Sequence, residues 1–557
     1  MPCFSPAQDV PGAGVLCALP ALLANGLLRF IDKRFVQPPG YYPLPSLIML
    51  FAFLALARVK SLERIRYMPP GEWGALLGLD RIPEVKTLRE KLDEIAVPKA
   101  TADWASDLSC LWMESNETLA GILYIDGHVR TYTGHQTELP RRFSSRDRLC
   151  LRSLIDYWVN DREGTPFFVV TAMGNEGMLH YLRTTIVPRL LQEVPGQPDE
   201  ASLAADPTRH RFIMVFDREG WSPSFFGALW DQHRIAILTY QRGAYGAWPT
   251  NDFQEEEVQG VHGNRTQMRL AEKPYPVAPA VQTALSSARF REIRRLCDDS
   301  DHQTSIITTV QQELRAKLAA HMFARWSQEN FFKYAEREFS IDRLAGYATA
   351  PAPDDQTVKN PAYNEIDNQI RRGRARMSAL QAERGRVPLV TGETVDVKAH
   401  MARCAPFDQQ IIALDVELKQ MRATRRGTKK RIALKEIPED KRPQFIAPYR
   451  TQFMNTVRIT AYRAETAMDN LLRRHFGRKG ESRALLQDLF KHDADLIPDL
   501  DTGTLTVRVH HFTNPQASQA IEELLKELNE SETIYPGTSL KMRFELVSIA
   551  TPAGQEV

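Results

Sequence analysis

Apolar positions along the chain change texture three times. Through residues 1–117 they recur at helical spacing, as where Val85, Leu88, Leu92 and Ile95 share one face after a turn marked by Gly78 and Pro83. Two uninterrupted runs, Gly14 to Leu28 and Leu44 to Ala57, are shorter than the roughly 20 residues that cross a bilayer. The first lacks a basic leader and a cleavage motif, so both are expected to be buried helices and no membrane role is expected.

From Leu119 the pattern becomes short apolar runs separated by turns. It predicts strands at 121–127, 129–134 and 165–173, a helix at 178–194, a strand at 211–217, a helix at 222–233 and a strand at 234–241. Continuous apolar strands such as Ile213 to Phe216, alternating with helices, indicate an α/β sheet covered on both faces. Residues 243–290 break the rhythm with Gly243, Gly246, Pro249 and the acidic run Glu255 to Glu257, which reads as an insertion. A strand pair at 290–296 and 302–310 then leads into a helical stretch running to Phe339.

The third texture is a heptad. Ile366, Ile370, Gly373, Met377 and Leu380 repeat at spacings of four and three, as do Phe407, Ile411, Leu414, Leu418 and Met421, which predicts an antiparallel coiled-coil hairpin. Its end away from the loop is basic, with Arg371 to Arg376 on one arm and Arg422 to Arg431 on the other. A strand, helix and strand at 504–512, 518–531 and 541–549 close the chain. The expected organisation is a helical region at 1–117, an α/β core at 118–242, an insertion at 243–290, the end of the core at 291–350, the hairpin at 351–435 and an α+β region at 436–557.

Composition changes this picture little. At 557 residues the chain is too long for one core, and 43% apolar content fills several. With 71 Lys and Arg against 69 Asp and Glu, nucleic-acid binding must come from local basic patches. The six cysteines contain no CxxC pair, which argues against a disulfide framework and a zinc knuckle and suits a reducing cytoplasm. Neither a GxSxG elbow nor a GxxxxGK[ST] loop is present, so serine-hydrolase and ATP-dependent readings lack support.

The acids carry more. Asp126 is expected to end the first strand and Asp217 the fourth. If those strands are neighbours, both carboxylates converge where open α/β sheets bind ligands. Glu329 lies in the following helix, where Met322, Trp326, Glu329 and Lys333 share one side at helical spacing. Three clustered carboxylates repel unless cations neutralise them, and hard oxygen ligands without His or Cys select Mg2+ or Mn2+. Two such ions about 3.5–4 Å apart clamp a phosphodiester, so the predicted chemistry is phosphoryl transfer on nucleic acid. Plainer readings exist for each residue: Asp before Gly is a common turn, and Arg325 with Glu329 has the i,i+4 spacing of a helical ion pair.

The stretches IDGHVRTYTG around Asp126, VFDREGW around Asp217 and RWSQENFFKY around Glu329 resemble bacterial insertion-sequence transposases of the DDE superfamily, over residues 60–545. The resemblance implies an RNase H-like catalytic core with a strand-rich insertion between the second Asp and the Glu. It implies Asp126, Asp217 and Glu329 as catalytic residues and ligands of two Mg2+ ions, with Mn2+ as a substitute. It further implies cleavage at double-stranded terminal inverted repeats, attack of the freed 3′-hydroxyl on target DNA, a homodimer in the DNA complex, and a bacterial cytoplasmic, nucleoid-associated location. One related group carries Tyr-x2-Arg-x3-Glu-x6-Lys. Arg325 and Glu329 match it, but Met322 and Glu336 stand at the Tyr and Lys positions, leaving Lys333 or Arg337 to meet phosphates nearby.

Further DNA contacts are expected from Arg325, from Arg425, Arg426, Lys429 and Lys430 in the hairpin, and from Trp248, an aromatic able to stack on a base or simply to pack. Residues 78–96, a turn followed by a basic-edged helix, fit both a helix-turn-helix DNA reader and an ordinary helical hairpin. Two other functions compete: an RNase H-fold nuclease without strand transfer, and an inactive DNA-binding relic.

Overall fold

The computed structural model describes residues 2–132, 134, 139, 141–144, 148–172, 176–243, 245–260, 263–276, 289–343, 349–351, 357–391, 394–395, 397–438, 444–446 and 448–547. The chain forms two compact units: Met1–Gly134 with Leu139–Ala348 and Ile446–Val557, and His135–Glu138 with Thr349–Phe445.

In the first unit the apolar runs become buried helices, as expected. Leu44–Leu56 (α1) is apolar all round and buried along nearly its whole length, whereas Val85–Ile95 (α2) buries only Leu88, Leu92 and Ile95. Pro98–Glu114 (α3) leads to the sheet. No described helix is long and apolar enough to cross a membrane. The N-terminal region is not wholly helical, because Ala7–Val10 (β1) pairs with the distant segment Ala494–Asp499.

The central sheet contains Ile122–Thr131 (β2), Arg141–Ser144 (β3), Leu149–Asn160 (β4), Pro166–Ala172 (β5), Ile213–Phe216 (β6), Ala236–Tyr240 (β7), Gln254–Gln259 (β8), Arg265–Pro274 (β9), Arg291–Leu296 (β10) and Gln303–Thr308 (β11). The order is β3-β4-β2-β6-β7-β11-β10-β9-β8, with β5 on β4. Strands β2, β6 and β7 are parallel, whereas β4 is antiparallel to both β2 and β5. Within the segment expected to be a strand-rich insertion, β8 and β9 extend the sheet, continuing antiparallel from β10 and β11.

Two strand boundaries differ from the sequence pattern. The runs at 121–127 and 129–134 are not separate strands: β2 passes straight through Asp126 and Gly127, and the second strand of the core is β4. The reason lies in β4, which pairs with β2 from Tyr124–Asn160 to Thr131–Ser153 and holds it extended past Gly127. Gly127 serves packing here, because a Cβ on it would stand 3.2 Å from the Tyr157 ring.

Alternating residues fill a core on each face of the sheet. Leu123, Ile125, Met214, Phe216 and Ile237 enter one, and Tyr124, Ile213, Val215 and Leu238 the other. The helical stretch after β11 is also divided, into Arg315–Phe323 (α4) and Arg325–Phe339 (α5), with Ala324 between them. Met322 is buried with Tyr124 and Val215, while α5 buries Gln328, Phe331, Ala335 and Phe339. The expected common face therefore loses Met322, and Trp326, at 61% exposure, points away from the core.

The second unit is the hairpin that the heptads predict. Pro361–Gly385 (α6) and Val397–Gly427 (α7) enclose Ile370, Leu380, Leu414 and Leu418 in their seam. Ion pairs Arg425–Asp367 and Arg384–Asp408, both 2.5 Å, tie opposite ends of the two helices and fix the antiparallel sense.

The chain returns to the first unit as Pro448–His475 (α8), whose Phe453, Val457, Ala461, Ala464, Met468 and Leu472 are buried. The last strands are Ala494–Asp499 (β12), Thr504–Val509 (β13) and Lys541–Leu546 (β14), in sheet order β1-β12-β13-β14. Helix Pro515–Asn529 connects the parallel pair β13 and β14, as the closing pattern predicts.

Candidate active site

The parallel register brings the two aspartates together. Ile125 pairs with Phe216 and Phe216 with Thr239, so Asp126, Asp217 and Tyr240 form the next row across β2, β6 and β7. Neighbouring strands lie roughly 4.8 Å apart. Asp126 lies within β2, but it is the first residue beyond the parallel pairing, so it still occupies the carboxyl edge of the parallel strands. Side-chain alternation points Tyr124, Asp126 and His128 to the same face, where the Tyr124 hydroxyl donates to His321 O of α4 and Glu336 of α5 meets His128.

Arg325, at the first turn of α5, stands between the aspartates. Its Nη2 donates to Asp126 Oδ2 at 3.0 Å, and its Nη1 lies 3.8 Å from Asp217 Oδ1. It does not form the helical ion pair with Glu329 that its spacing allows. Burial raises the Asp126 pKa, opposed by Arg325 and the Gly127 N–H, while the charge of Asp217 raises it further. Burial disfavours the Arg325 charge, but Asp126 and Asp217 outweigh it and raise its pKa. Asp217 is more open and accepts from the Arg218 N–H at 2.6 Å.

Glu329 makes no hydrogen bond or ion pair among the described residues, and its charge reaches the same place: Tyr240, its pKa raised by burial, feels Asp217, Arg325 and Glu329 together. Tyr240 is the member of this group that the sequence pattern did not single out. It holds on the fifth core strand the position that Asp217 holds on the fourth, a correspondence visible only once the register is known.

Helix α5 is held by polar contacts as well as apolar ones. The Gln328 amide donates to Tyr124 O at 3.2 Å, Trp158 O at 3.3 Å and Asn160 Oδ1 at 3.0 Å. Gly164, at φ 87°, lets the turn after β4 approach so closely that a Cβ would lie 2.5 Å from Ser327 O. Further along, Tyr334 donates to Glu465 of α8, which also binds Arg58 at 2.6 Å, while Arg58 reaches Glu338 at 3.2 Å. These contacts bracket Glu329 on both sides.

The profile of the Transposase_29 family, described as a transposase protein, matches residues 1–548. The chain belongs to that family. No curated protein matches it. A transposase acts on DNA, so the basic residues of this family member are to be considered as DNA contacts. Lys333 is exposed on α5, with its Nζ 5.7 Å from the centre of the Trp326 ring. Arg337 is exposed and pairs with Glu338 at 2.5 Å. Glu336 faces inward instead, its Oε1 2.7 Å from Nε2 of the buried His128. Trp248 packs with Phe253, Ala271 and Leu296, beneath the Arg294 guanidinium at 4.1 Å. In the second unit, Arg425 pairs with Asp367, and Arg426, Lys429 and Lys430 are exposed.

Among the described residues, the His, Cys, Asp or Glu trio with ligand atoms all within 4.8 Å of one another is Asp9, Asp495 and His510, not the three acids. The donor chemistry of Asp126, Asp217 and Glu329 nonetheless fits a hard divalent ion, because all three offer carboxylate oxygens. Asp126 and Asp217 already share one cationic partner in Arg325.

Proposed function

We propose that this transposase-family protein is a DDE-type enzyme that cleaves DNA at the ends of a mobile element and joins the freed 3′-hydroxyl to target DNA. The order β5-β4-β2-β6-β7, with three antiparallel strands followed by two parallel to the first, supports an RNase H-like core. The observation carrying the reading is the in-register pair Asp126 and Asp217, bridged by Arg325, with Glu329 on the helix packed beside them.

Asp126, Asp217 and Glu329 would hold two Mg2+ ions, for which Mn2+ substitutes. When bound, such ions activate the attacking oxygen and stabilise the leaving one. The residues around them have separate tasks. Burial makes the Asp126 carboxylate dependent on a neighbouring cation, and Arg325 meets that need in the absence of metal. Once released from the acids, Arg325 is placed to bind a phosphate of the reacting strand. Trp326 and Lys333, at i−3 and i+4 from Glu329, give α5 an exposed aromatic and cationic face for DNA.

Purified protein is incubated with a duplex carrying the element end, a target plasmid and Mg2+. Cleaved ends joined to plasmid are expected from the wild type, and loss of both products from Asp126→Asn and from Glu329→Gln. Cleavage unaffected by these substitutions would sink the metal assignment, and cleavage without joining would favour a nuclease.

A further inference from the structure

A cavity of about 760 Å3 lies within the first unit, beside the end of β2, the end of α5, α2 and α8. Its volume falls inside the roughly 300–1,000 Å3 of small-ligand sites. It shares two elements with the candidate active site but is displaced along both. Thr131 is five residues beyond Asp126, roughly 17 Å along a strand, and Glu338 is nine beyond Glu329, about 13 Å along a helix.

The lining is unevenly charged. Arg89 is paired with Glu63, Arg450 with Asp93, and Glu338 with Arg58. Among the described lining residues this leaves Lys60, Arg343 and Arg458 without an ion pair, against the single carboxylate of Asp342. Arg458 is the most telling. Its Nη1 donates to the neutral Asn455 Oδ1 at 3.1 Å, and no described carboxylate lies within ion-pair distance. Burial and the neighbouring Arg130 push its pKa down to about 10, with Asp342 and Asp156 opposing, so it remains charged at neutral pH. Arg458 is half-buried, and a charge withdrawn from water in this way is costly unless something pairs with it. Beside the cations, Leu54, Phe339 and Met454 add apolar lining.

We propose that this cavity binds a nucleoside monophosphate moiety, its phosphate on Lys60, Arg343 and Arg458 and its base against the apolar lining of Leu54, Phe339 and Met454. A free nucleotide and the terminal nucleotide of a DNA strand share this chemistry. Only the strand-end source rests on the transposase reading, and neither source requires metal at the acids.

The test is calorimetric titration of the full-length protein in EDTA with dAMP, inorganic phosphate and a terminally phosphorylated trinucleotide. Saturable dAMP binding is expected, with inorganic phosphate weaker because it forgoes the apolar lining. The exposed double variant Lys60→Gln, Arg343→Gln should weaken dAMP roughly tenfold or more, the effect of losing charge-assisted hydrogen bonds. Arg458→Gln should do the same, and if it fails to fold the exposed variant decides. Tighter binding of the trinucleotide than of dAMP assigns the cavity to a strand end, and equal or weaker binding assigns it to the free nucleotide. Absence of dAMP binding, binding unchanged in the double variant, or phosphate binding as tight as dAMP would overturn the proposal. Loss of dAMP binding alongside intact Mg2+-dependent cleavage counts against this site alone. Cleavage insensitive to Asp126→Asn with intact dAMP binding counts against the catalytic reading alone.

Discussion

The Nη2 of Arg325 donates to Asp126 Oδ2 at 3.0 Å, across 199 positions of sequence. The same guanidinium neutralises Asp217 from 3.8 Å, so one side chain balances two carboxylates that a divalent cation would otherwise balance.

Replacing Arg325 with Gln should therefore make the fold lean on added cation. The variant is expected to melt below the wild type in EDTA and to recover more than the wild type does on adding Mg2+, because a ligand at about 100 times its Kd adds about 2.7 kcal/mol. Thermal melts with and without Mg2+ decide this. Identical Mg2+ responses in the two proteins would show that Arg325 is not standing in for a cation.

The helix bearing Glu329 should be sensitive to the buried amide beside it. Gln328→Leu removes the donor to Tyr124 O, Trp158 O and Asn160 Oδ1. Leaving those acceptors unsatisfied costs about 1–3 kcal/mol, measurable by urea unfolding. Gly164→Ala should also lower stability, since the added carbon meets the Ser327 carbonyl at 2.5 Å from a left-handed backbone.

Glu465 is completely buried and receives Arg58 and Tyr334, joining α8 to α5. Glu465→Ala leaves the Arg58 charge with Glu338 as its remaining carboxylate partner and Tyr334 without its acceptor, so the expected loss is at most the roughly 3–5 kcal/mol of breaking a buried pair. Denaturant midpoints should fall accordingly. A loss below about 1 kcal/mol, the range of exposed pairs, would mean that Glu338 alone or water balances Arg58.

Asp161 provides a pH signature. Burial raises its pKa to about 6, against the opposing Thr165 N–H, the Arg463 charge and the Glu163 N–H. A carboxyl whose pKa is raised on folding binds its proton more tightly in the native state. Its contribution to stability is thus full below pH 4 and is lost as the pH rises through about 6. The shift corresponds to about 3 kcal/mol. Asp161→Asn should flatten this part of the stability-pH curve, and an unchanged slope between pH 4 and 7 would disprove the assignment.

The sequence alone determined the elements whose period is local. Heptads at Ile366–Leu380 and Phe407–Met421 required a two-helix seam, the Leu44 run required a buried helix, and Ile213–Phe216 required a strand buried on both faces, because each pattern states what its own segment must cover. It also placed acids beside apolar runs at Asp126 and Asp217. Tertiary structure alone decided that β2 continues through Gly127, since the hydrogen bonds holding it extended come from β4. Tertiary structure likewise aligned Asp126, Asp217 and Tyr240 in one row, because register depends on pairing between strands some ninety residues apart, and sent Arg325 to Asp126 instead of Glu329. Spacing along a helix permits an ion pair, but which acid receives the guanidinium depends on what the fold brings within reach.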